Sequence, residues 1–214
     1  MIIGTTPQET PEERQDAFDG GLLEGTHVRT PCGPRRIENV RPGDLIVTRT
    51  NGLQAVRMVW RRSLSQDRMR ANPERAPVRL KPRAVGPMMP QQDLVLAPEH
   101  PILIPGYRLS GVADTAGGLM AAGALAGTSD AAYVDRSMER ARLFTLVFDT
   151  PQVFVANGLP VASVELSVEV MERLDDDLRQ LVLQKFPQLG REPAAYPPVE
   201  YSRVTAEAYR PAAV

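Results

Sequence analysis

Residues 40–61 read VRPGDLIVTRTNGLQAVRMVWR, and this stretch decides the fold class. Its Asn51-Gly52 pair predicts a tight hairpin, because both residues tolerate a positive φ. Residues 45–49 form the predicted outgoing strand, and residues 53–61 form the predicted return strand. Apolar side chains alternate along one face of the return strand, at Val56, Met58 and Trp60. The stretch therefore predicts antiparallel β structure.

The chain on both sides continues this β pattern, from residue 26 to residue 164. Twenty prolines and sixteen glycines favour a turn-dense, mainly β chain over a helix bundle. Residues 63–77 are polar and predict a loop, whereas residues 121–126 predict a short helix. Further short strands are predicted at residues 78–80, 93–96, 101–105, 143–148 and 153–156.

Composition excludes several classes of protein. A chain of 214 residues with 43% hydrophobic and 24% charged residues can bury a core, so it is not wholly disordered. No apolar run approaches the roughly 20 residues of a membrane span, and residues 1–20 lack the basic start of a conventional secretory signal. The single cysteine, Cys32, excludes an intramolecular disulfide. With only His27 and His100 besides, we expect no metal site and no cofactor.

Four regions are predicted along the chain. Residues 1–20 form a polar N-terminal arm and residues 21–164 a β domain. Residues 165–190 form one amphipathic helix that ends at Pro187 and Gly190. Residues 191–214 form an extended tail rich in proline and tyrosine, which lies across the domain, lies on a neighbour or is disordered.

The apolar stripe of the predicted helix has two interpretations. It packs on the parent domain, or it binds a protein partner. In the second case the candidate contact residues are Met171, Leu174, Leu178 and Leu181.

Positive charge is concentrated in residues 29–90, which hold fourteen basic and four acidic residues. Arginine binds phosphate bidentately, so Arg57, Arg61 and Arg62 form a candidate basic face for nucleic acid. No aromatic residues interleave with these arginines to stack on bases. We therefore favour the interpretation that the arginines are solvated or contact acidic segments of the chain.

Four separated blocks carry a resemblance to a known family. They are residues 21–30 (GLLEGTHVRT), 40–48 (VRPGDLIVT), 93–104 (DLVLAPEHPILI) and 148–160 (FDTPQVFVANGLP). In this order and spacing they resemble the Hedgehog/intein (Hint) domain, particularly the bacterial branch that begins with Cys-x-x-x-Gly-Thr. The resemblance covers residues 21–164 and implies a compact, all-β, horseshoe-like fold with pseudo-twofold halves.

The resemblance also implies where a reaction would occur. Active Hint domains begin with attack by a Cys or Ser side chain on the preceding carbonyl. The matching position here is Gly21, and its neighbours Gly20 and Leu22 carry no nucleophile either. Cys32 lies eleven residues further on, in a predicted turn, and we interpret it as a small non-catalytic thiol.

Two further stations of the family site are altered. The Thr-x-x-His block, whose His acts as an acid, is Ala97-Pro98-Glu99-His100 in this chain. The final His-Asn pair corresponds to Ala162-Ser163, and the His expected near residue 151 is missing. Asn157 remains, but Asn157-Gly158 predicts a tight turn with positive φ.

These observations support three hypotheses. The first is a non-catalytic Hint-fold structural or interaction module that forms a homo-oligomer or part of a larger assembly, in the cytoplasm or bound to that assembly. The second is a residual self-processing enzyme that uses His100 with Cys32 or Ser163. The third is nucleic-acid binding through the arginines. Export by an unconventional route remains open in each case.

Overall fold

The computed structural model describes residues 18–111, 117–192 and 196–211. Fourteen strands and four short α-helices lie in the described residues, so the mainly β prediction is confirmed. Strands β1–β7 span Leu22–Leu23, His27–Thr30, Gly33–Arg36, Leu45–Val47, Leu53–Ala55, Met58–Ser65 and Val78–Leu80. Strands β8–β14 span Leu94–Leu96, Pro101–Ile104, Gly118–Ala121, Ala132–Val134, Arg140–Val147, Val153–Ala156 and Leu159–Ala162. The α-helices α1–α4 span Gln66–Ala71, Val168–Arg173, Asp176–Lys185 and Gln188–Arg191.

Two six-stranded antiparallel sheets contain most of these strands. The first has the order β11-β7-β8-β1-β12-β6, and the second has the order β10-β9-β14-β13-β2-β3. The main hydrophobic cluster draws buried residues from both sheets, including Leu22, Leu96 and Phe144 of the first and Val28 and Phe154 of the second. Burial of these side chains holds the two sheets together.

The Asn51-Gly52 hairpin is confirmed, but its return strand is shorter than predicted. Strands β4 and β5 pair antiparallel, and Gly52 has a φ of 64° at the turn. The return strand breaks at residues 56–57. There the Val56 amide donates to Asp44, whereas the Arg57 amide donates to the Val147 carbonyl. From that point the chain belongs to β6, which pairs with β12 and extends to Ser65.

The prediction of a loop at residues 63–77 was wrong. This segment contains the end of β6, helix α1 and a 3-10 helix at Pro73–Arg75. Ser65 caps α1, because its side chain accepts a hydrogen bond from the Arg68 amide. The short helix predicted at residues 121–126 is present as a 3-10 helix at Ala122–Leu125.

The single helix predicted at residues 165–190 is three helices, α2, α3 and α4. The break occurs because Asp175 caps a new helix, accepting a hydrogen bond from the Leu178 amide at 2.8 Å. Leu174 is extended and ends α2. We call residues 168–192 together with 196–211 the C-terminal extension.

The apolar stripe of these helices is core. Met171, Leu174 and Leu178 are buried in a second cluster with Phe18 and Met58. Of the two interpretations, packing on the parent domain therefore holds for these three residues, and the partner-binding interpretation is wrong for them, because their side chains are buried against the domain. Leu181 differs, with 42% of its surface exposed.

The described part of the tail lies across the domain. Tyr196 is buried, and its hydroxyl donates to the Phe148 carbonyl at 3.0 Å. Further on, the Leu119 amide of β10 donates to Ser202, and the Val204 amide donates back to Leu119. At the other end of the chain, Phe18 is already packed in the core, while residues 1–17 of the predicted arm lie outside the described residues. Among the described helices, none has the length and apolar character that crossing a membrane requires.

Candidate functional site

Backbone hydrogen bonds hold the Gly21 position from two sides. The Gly21 amide donates to Nδ1 of His100 at 3.0 Å. The Gly21 carbonyl accepts from the Ala97 amide at 2.9 Å, and the His100 amide donates to the Ala97 carbonyl. Strand β1 follows directly and pairs with both β8 and β12. The structure therefore brings Gly21, Ala97 and His100 together, as the resemblance implied.

Gly20 and Gly21 adopt backbone conformations that favour glycine. Their φ angles are 90° and 124°, which side chains of L-residues rarely allow. A Cβ on Gly20 would lie 3.0 Å from His100 Nδ1, and a Cβ on Gly21 would lie 3.0 Å from Leu143 Cβ. The surroundings are thus closed around two glycines, and a nucleophilic side chain would strain both the backbone and its neighbours.

His100 is neutral at physiological pH. Its side chain is buried, and burial together with the positive charge of Arg62 lowers its pKa to about 3. Because Nδ1 accepts the Gly21 amide hydrogen, the imidazole proton is on Nε2. Nε2 is buried and has no hydrogen-bond partner among the described residues. The nitrogen that faces Gly21 thus offers a lone pair, not an acidic proton.

A cavity of about 420 Å³ opens beside His100, and we call it the His100 cavity. The domain contributes Glu99, His100, Pro101, Leu119, Thr145, Ala162, Ser163, Val164 and Glu165 to its lining. The remaining walls come from the N-terminal flank, from the residue that caps α2 and from the C-terminal extension, namely Phe18, Asp19, Ser167, Glu169, Val170, Arg173, Val199 and Arg203. Ser163 and His100 therefore share one cavity, although they lie in separate blocks of the sequence.

The hydroxyl of Ser163 is already engaged in the fold. Ser163 Oγ accepts a hydrogen bond from the Gln152 amide at 2.9 Å and donates to the Val164 carbonyl. It thereby fixes the end of β14 against the start of β13. A structural role accounts for both of these bonds.

Thr145 is a cavity residue that the sequence patterns do not single out. It is buried, and its Oγ1 lies 3.3 Å from the position that a Cβ on Gly21 would occupy. The available signal is that Thr145 is the one hydroxyl in an otherwise apolar run, LFTLVF at residues 143–148. Because cross-strand neighbours share a face of the sheet, Thr145 approaches Gly21 across the β1–β12 ladder.

Two ion pairs connect the C-terminal extension to the rim of the His100 cavity. Arg173 Nη1 lies 2.7 Å from Asp19 Oδ2, and Arg203 Nη2 lies 3.0 Å from Glu165 Oε2. Both arginines belong to segments that the family resemblance does not cover. The extension therefore supplies charged walls to a cavity whose floor belongs to the β domain.

Asn157 lies outside the His100 cavity lining and has structural contacts of its own. It has a φ of 46°, as the turn prediction required. Its Oδ1 accepts from the His27 amide at 2.8 Å, and its Nδ2 donates to the Asp93 carbonyl at 2.7 Å. Asn157 thus joins three segments of the chain. Cys32 also lies outside this cavity, exposed in the turn between β2 and β3.

The three arginines of the predicted basic face do not share a face. Arg57 Nε lies 3.2 Å from Asp149, and Arg61 lies over the Phe144 ring at 5.7 Å. Arg62 is buried, and its Nη2 lies 4.0 Å from Glu99 Oε2. Successive residues of a strand point to opposite faces, so Arg61 and Arg62 diverge. Arg62 was therefore wrongly assigned to an exposed face.

In the described part of the chain, no three His, Cys, Asp or Glu side chains are grouped so that they could hold a metal ion.

Comparison with known proteins found one matching family model and several similar solved structures. A family model described as Hint domain matches residues 21–167. The gp41-1 intein has 16% identity and a TM-score of 0.41, and the match covers 67% of this chain and 98% of that structure. A bacterial intein-like domain from Clostridium thermocellum has 12% identity and a TM-score of 0.44, covering 69% of this chain and 99% of that one. No match to a curated protein was found.

Proposed function

The chain belongs to the Hint domain family, and from this premise we propose that it is a non-catalytic member that serves as a structural or protein-interaction module. The proposal rests on the positive φ angles of Gly20 and Gly21 and on the atoms packed closely around them. Covalent chemistry in this family begins with a thiol or hydroxyl at the position of Gly21. Here a Cβ at that position would lie 3.0 Å from Leu143 on a backbone with a φ of 124°.

The state of His100 supports the same proposal. An acid that protonates a leaving amide must carry a proton on the nitrogen that faces the amide. His100 Nδ1 instead accepts the Gly21 amide hydrogen, and its pKa of about 3 keeps the imidazole neutral at pH 7. The threonine hydroxyl of the family's Thr-x-x-His block is also absent, since this position is Ala97. Ala97 contacts Gly21 through its backbone amide only.

Intact-mass measurement tests the proposal. The full chain is purified and incubated with and without a reducing thiol, which cleaves any thioester formed in the backbone. We expect one species of full mass under both conditions. A fragment that begins at Gly21 would overturn the proposal.

Residual self-processing is the second candidate function, and one observation favours it. The hydrogen bond from the Gly21 amide to His100 Nδ1 places an imidazole on the nitrogen of the bond that family members break. This hypothesis predicts a slow fragment that disappears in the His100→Ala variant. Cys32→Ser and Ser163→Ala variants then separate the two nucleophiles that this hypothesis allows, of which Ser163 lines the His100 cavity and Cys32 does not.

The module function also requires a partner, which we propose to be another protein or a second copy of this chain. Leu45 and Leu53 support this proposal, with 42% and 50% of their surfaces exposed on the β4–β5 hairpin. Light scattering on the purified chain measures self-association directly. If the parent chain self-associates, a Leu45→Ser, Leu53→Ser double variant that lowers the measured mass would locate the contact. If the parent chain has the mass of a monomer, a second copy is excluded as the partner.

A further inference from the structure

A second pocket, of about 310 Å³, lies where β6 and β12 pair, and we call it the arginine pocket. Its lining consists of Glu38, Arg41, Arg61, Arg62, Ser63, Arg142, Leu143 and Phe144. In the β6–β12 register, Phe144 is opposite Arg61 and Arg142 is opposite Ser63. Because cross-strand pairs share a face, Arg61 and Arg142 project on the same side of the sheet. Arg41 reaches the pocket from the segment before β4.

Each of these three guanidinium groups is held in place by a contact that leaves donors available. The Arg61 guanidinium lies over the buried Phe144 ring at 5.7 Å. Arg41 Nη1 donates to the carbonyls of Glu38 and Val40, at 2.8 and 3.0 Å. A guanidinium has five N–H donors, so several remain on each group. Within the described residues, Arg61 makes no hydrogen bond or ion pair.

Positive charge exceeds negative charge around the arginine pocket. Its one carboxylate, Glu38, already accepts the Gly25 amide hydrogen at 2.8 Å. A second carboxylate, Glu24, pairs with Arg142 at the edge. A third carboxylate, Asp44, accepts the Arg41 amide hydrogen and pairs with Arg35. The four guanidinium groups of Arg35, Arg41, Arg61 and Arg142 outnumber these three acids. A small concave surface with this balance attracts an anion and gives it several donors at once.

We propose that the arginine pocket binds a small molecule through a phosphate or pyrophosphate group. Arginine forks match the oxygens of phosphate, and three forks around one concavity suit a compact anion with several oxygens. The volume lies at the lower end of small-ligand cavities, which begin near ~300 Å³. An extended nucleic-acid track fits less well, because Arg57 pairs with Asp149 and Arg62 is buried. The proposal does not depend on whether the chain cleaves itself.

Calorimetric titration of the full chain with inorganic pyrophosphate, at about 50 mM salt, tests this site. We expect saturable binding of one pyrophosphate per chain. The Arg61→Gln and Arg142→Gln variants should each weaken it about tenfold, since each removes a charge-assisted contact. Arg57→Gln is the matched control, because it removes the same charge from an exposed residue outside the pocket, and its affinity should be unchanged.

Three outcomes would overturn the proposal. The first is no saturable binding by the parent chain, and the second is an equal loss of affinity in Arg57→Gln. The third is tighter binding of a short single-stranded oligonucleotide that Arg57→Gln also weakens, which would assign the arginines to a nucleic-acid surface. Arg61 is exposed, so its variant should fold, and circular dichroism checks this. If it does not, Arg41→Gln tests the same pocket from another segment.

Discussion

The Gly20–Gly21 segment contacts His100, and the C-terminal extension lines the cavity beside His100, but different forces hold these two regions in place. The Gly20–Gly21 segment before β1 is held by the backbone groups of Gly21, whose amide donates to the His100 imidazole and whose carbonyl accepts from the Ala97 amide. The helical part of the extension, residues 168–192, is held by side chains, through a hydrophobic cluster and the Asp19–Arg173 ion pair, whereas residues 202–210 also make backbone hydrogen bonds to the domain. The bond between the Ala97 amide and the Gly21 carbonyl does not depend on the side chain at either position, whereas the bond to His100 requires the imidazole. Side-chain contacts depend on each residue and should fail one substitution at a time.

The largest expected effect is the loss of unfolding free energy when a core phenylalanine is removed, and we compare one phenylalanine from the extension with one from the β domain. Phe186 of the extension is fully buried and meets Tyr196 edge-on, whereas Phe154 lies in the main cluster between the sheets. Replacing either with alanine should lower the free energy of unfolding by about 3–5 kcal/mol, because each leaves a large cavity. Urea denaturation should show one transition for both variants. An early separate transition in Phe186→Ala alone would mean that the extension unfolds independently.

The next effect concerns pH and the buried imidazole of His100. Its pKa is about 3 in the folded chain and about 6.5 when unfolded. Between these values the unfolded chain binds the extra proton, so stability is complete above pH 6.5 and falls as the pH decreases toward 3. The slope contributed by His100 is at most about 1.4 kcal/mol per pH unit.

The His100→Gln variant isolates this contribution, since glutamine does not titrate. The difference in unfolding free energy between the parent chain and the variant should shrink as the pH falls from 6.5 to 4. A difference that stays constant over this range would show that His100 is not held neutral by the fold.

A smaller effect separates backbone strain from close packing at Gly21. Gly21→Ala should lower the free energy of unfolding by about 1–2 kcal/mol, because alanine is strained at this positive φ. The close contact of the new Cβ with Leu143 should lower it further. Gly25→Ala is the matched control, because Gly25 also has a positive φ but nothing lies within 4 Å of its Cβ position. Urea unfolding of both variants gives the difference. Equal losses would contradict the claim that the site is closed around Gly21.

The smallest effect belongs to the ion pair between the two regions. Arg173 and Asp19 are both about half exposed, so Arg173→Gln should cost roughly 0.2–1 kcal/mol and less at high salt. Arg191→Gln is the control, because it removes an exposed arginine from the same extension without breaking a described ion pair. Thermal unfolding at low and high salt measures both. A large, salt-independent loss in Arg173→Gln would show that this contact does more than a surface pair.

The parts of the fold that were predictable have local causes. Asn51-Gly52 determines a hairpin through its own backbone preferences, and Asn157-Gly158 determines a corner in the same way. The break between α2 and α3 has a local cause too, since Asp175 is a strong N-cap. The helical spacing of apolar residues continues across Asp175, so the spacing alone predicts one uninterrupted helix. The burial of Met171 was not decidable from its period, because a stripe on a helix looks the same whether it faces its own domain or a partner.

The candidate site was predictable only at positions that carry a motif. The altered block at Ala97 and His100 and the glycine at position 21 could be located along the sequence. Thr145 could not, because its nearness to Gly21 results from the pairing of β1 with β12, more than one hundred residues apart. The two ion pairs of the extension depend on long-range packing as well, as does the grouping of Arg41 and Arg142 with Arg61.

The most direct measurement is the fraction of chains that carry a free amino group at Gly21 after prolonged incubation at neutral pH. Peptide mass spectrometry with amine labelling quantifies it, using the labelled start of the chain as reference. We predict that this fraction stays at the background level, with and without a thiol, because no side-chain nucleophile stands at the Gly21 position. A fraction that grows with time and vanishes in His100→Ala would contradict a non-catalytic Hint domain.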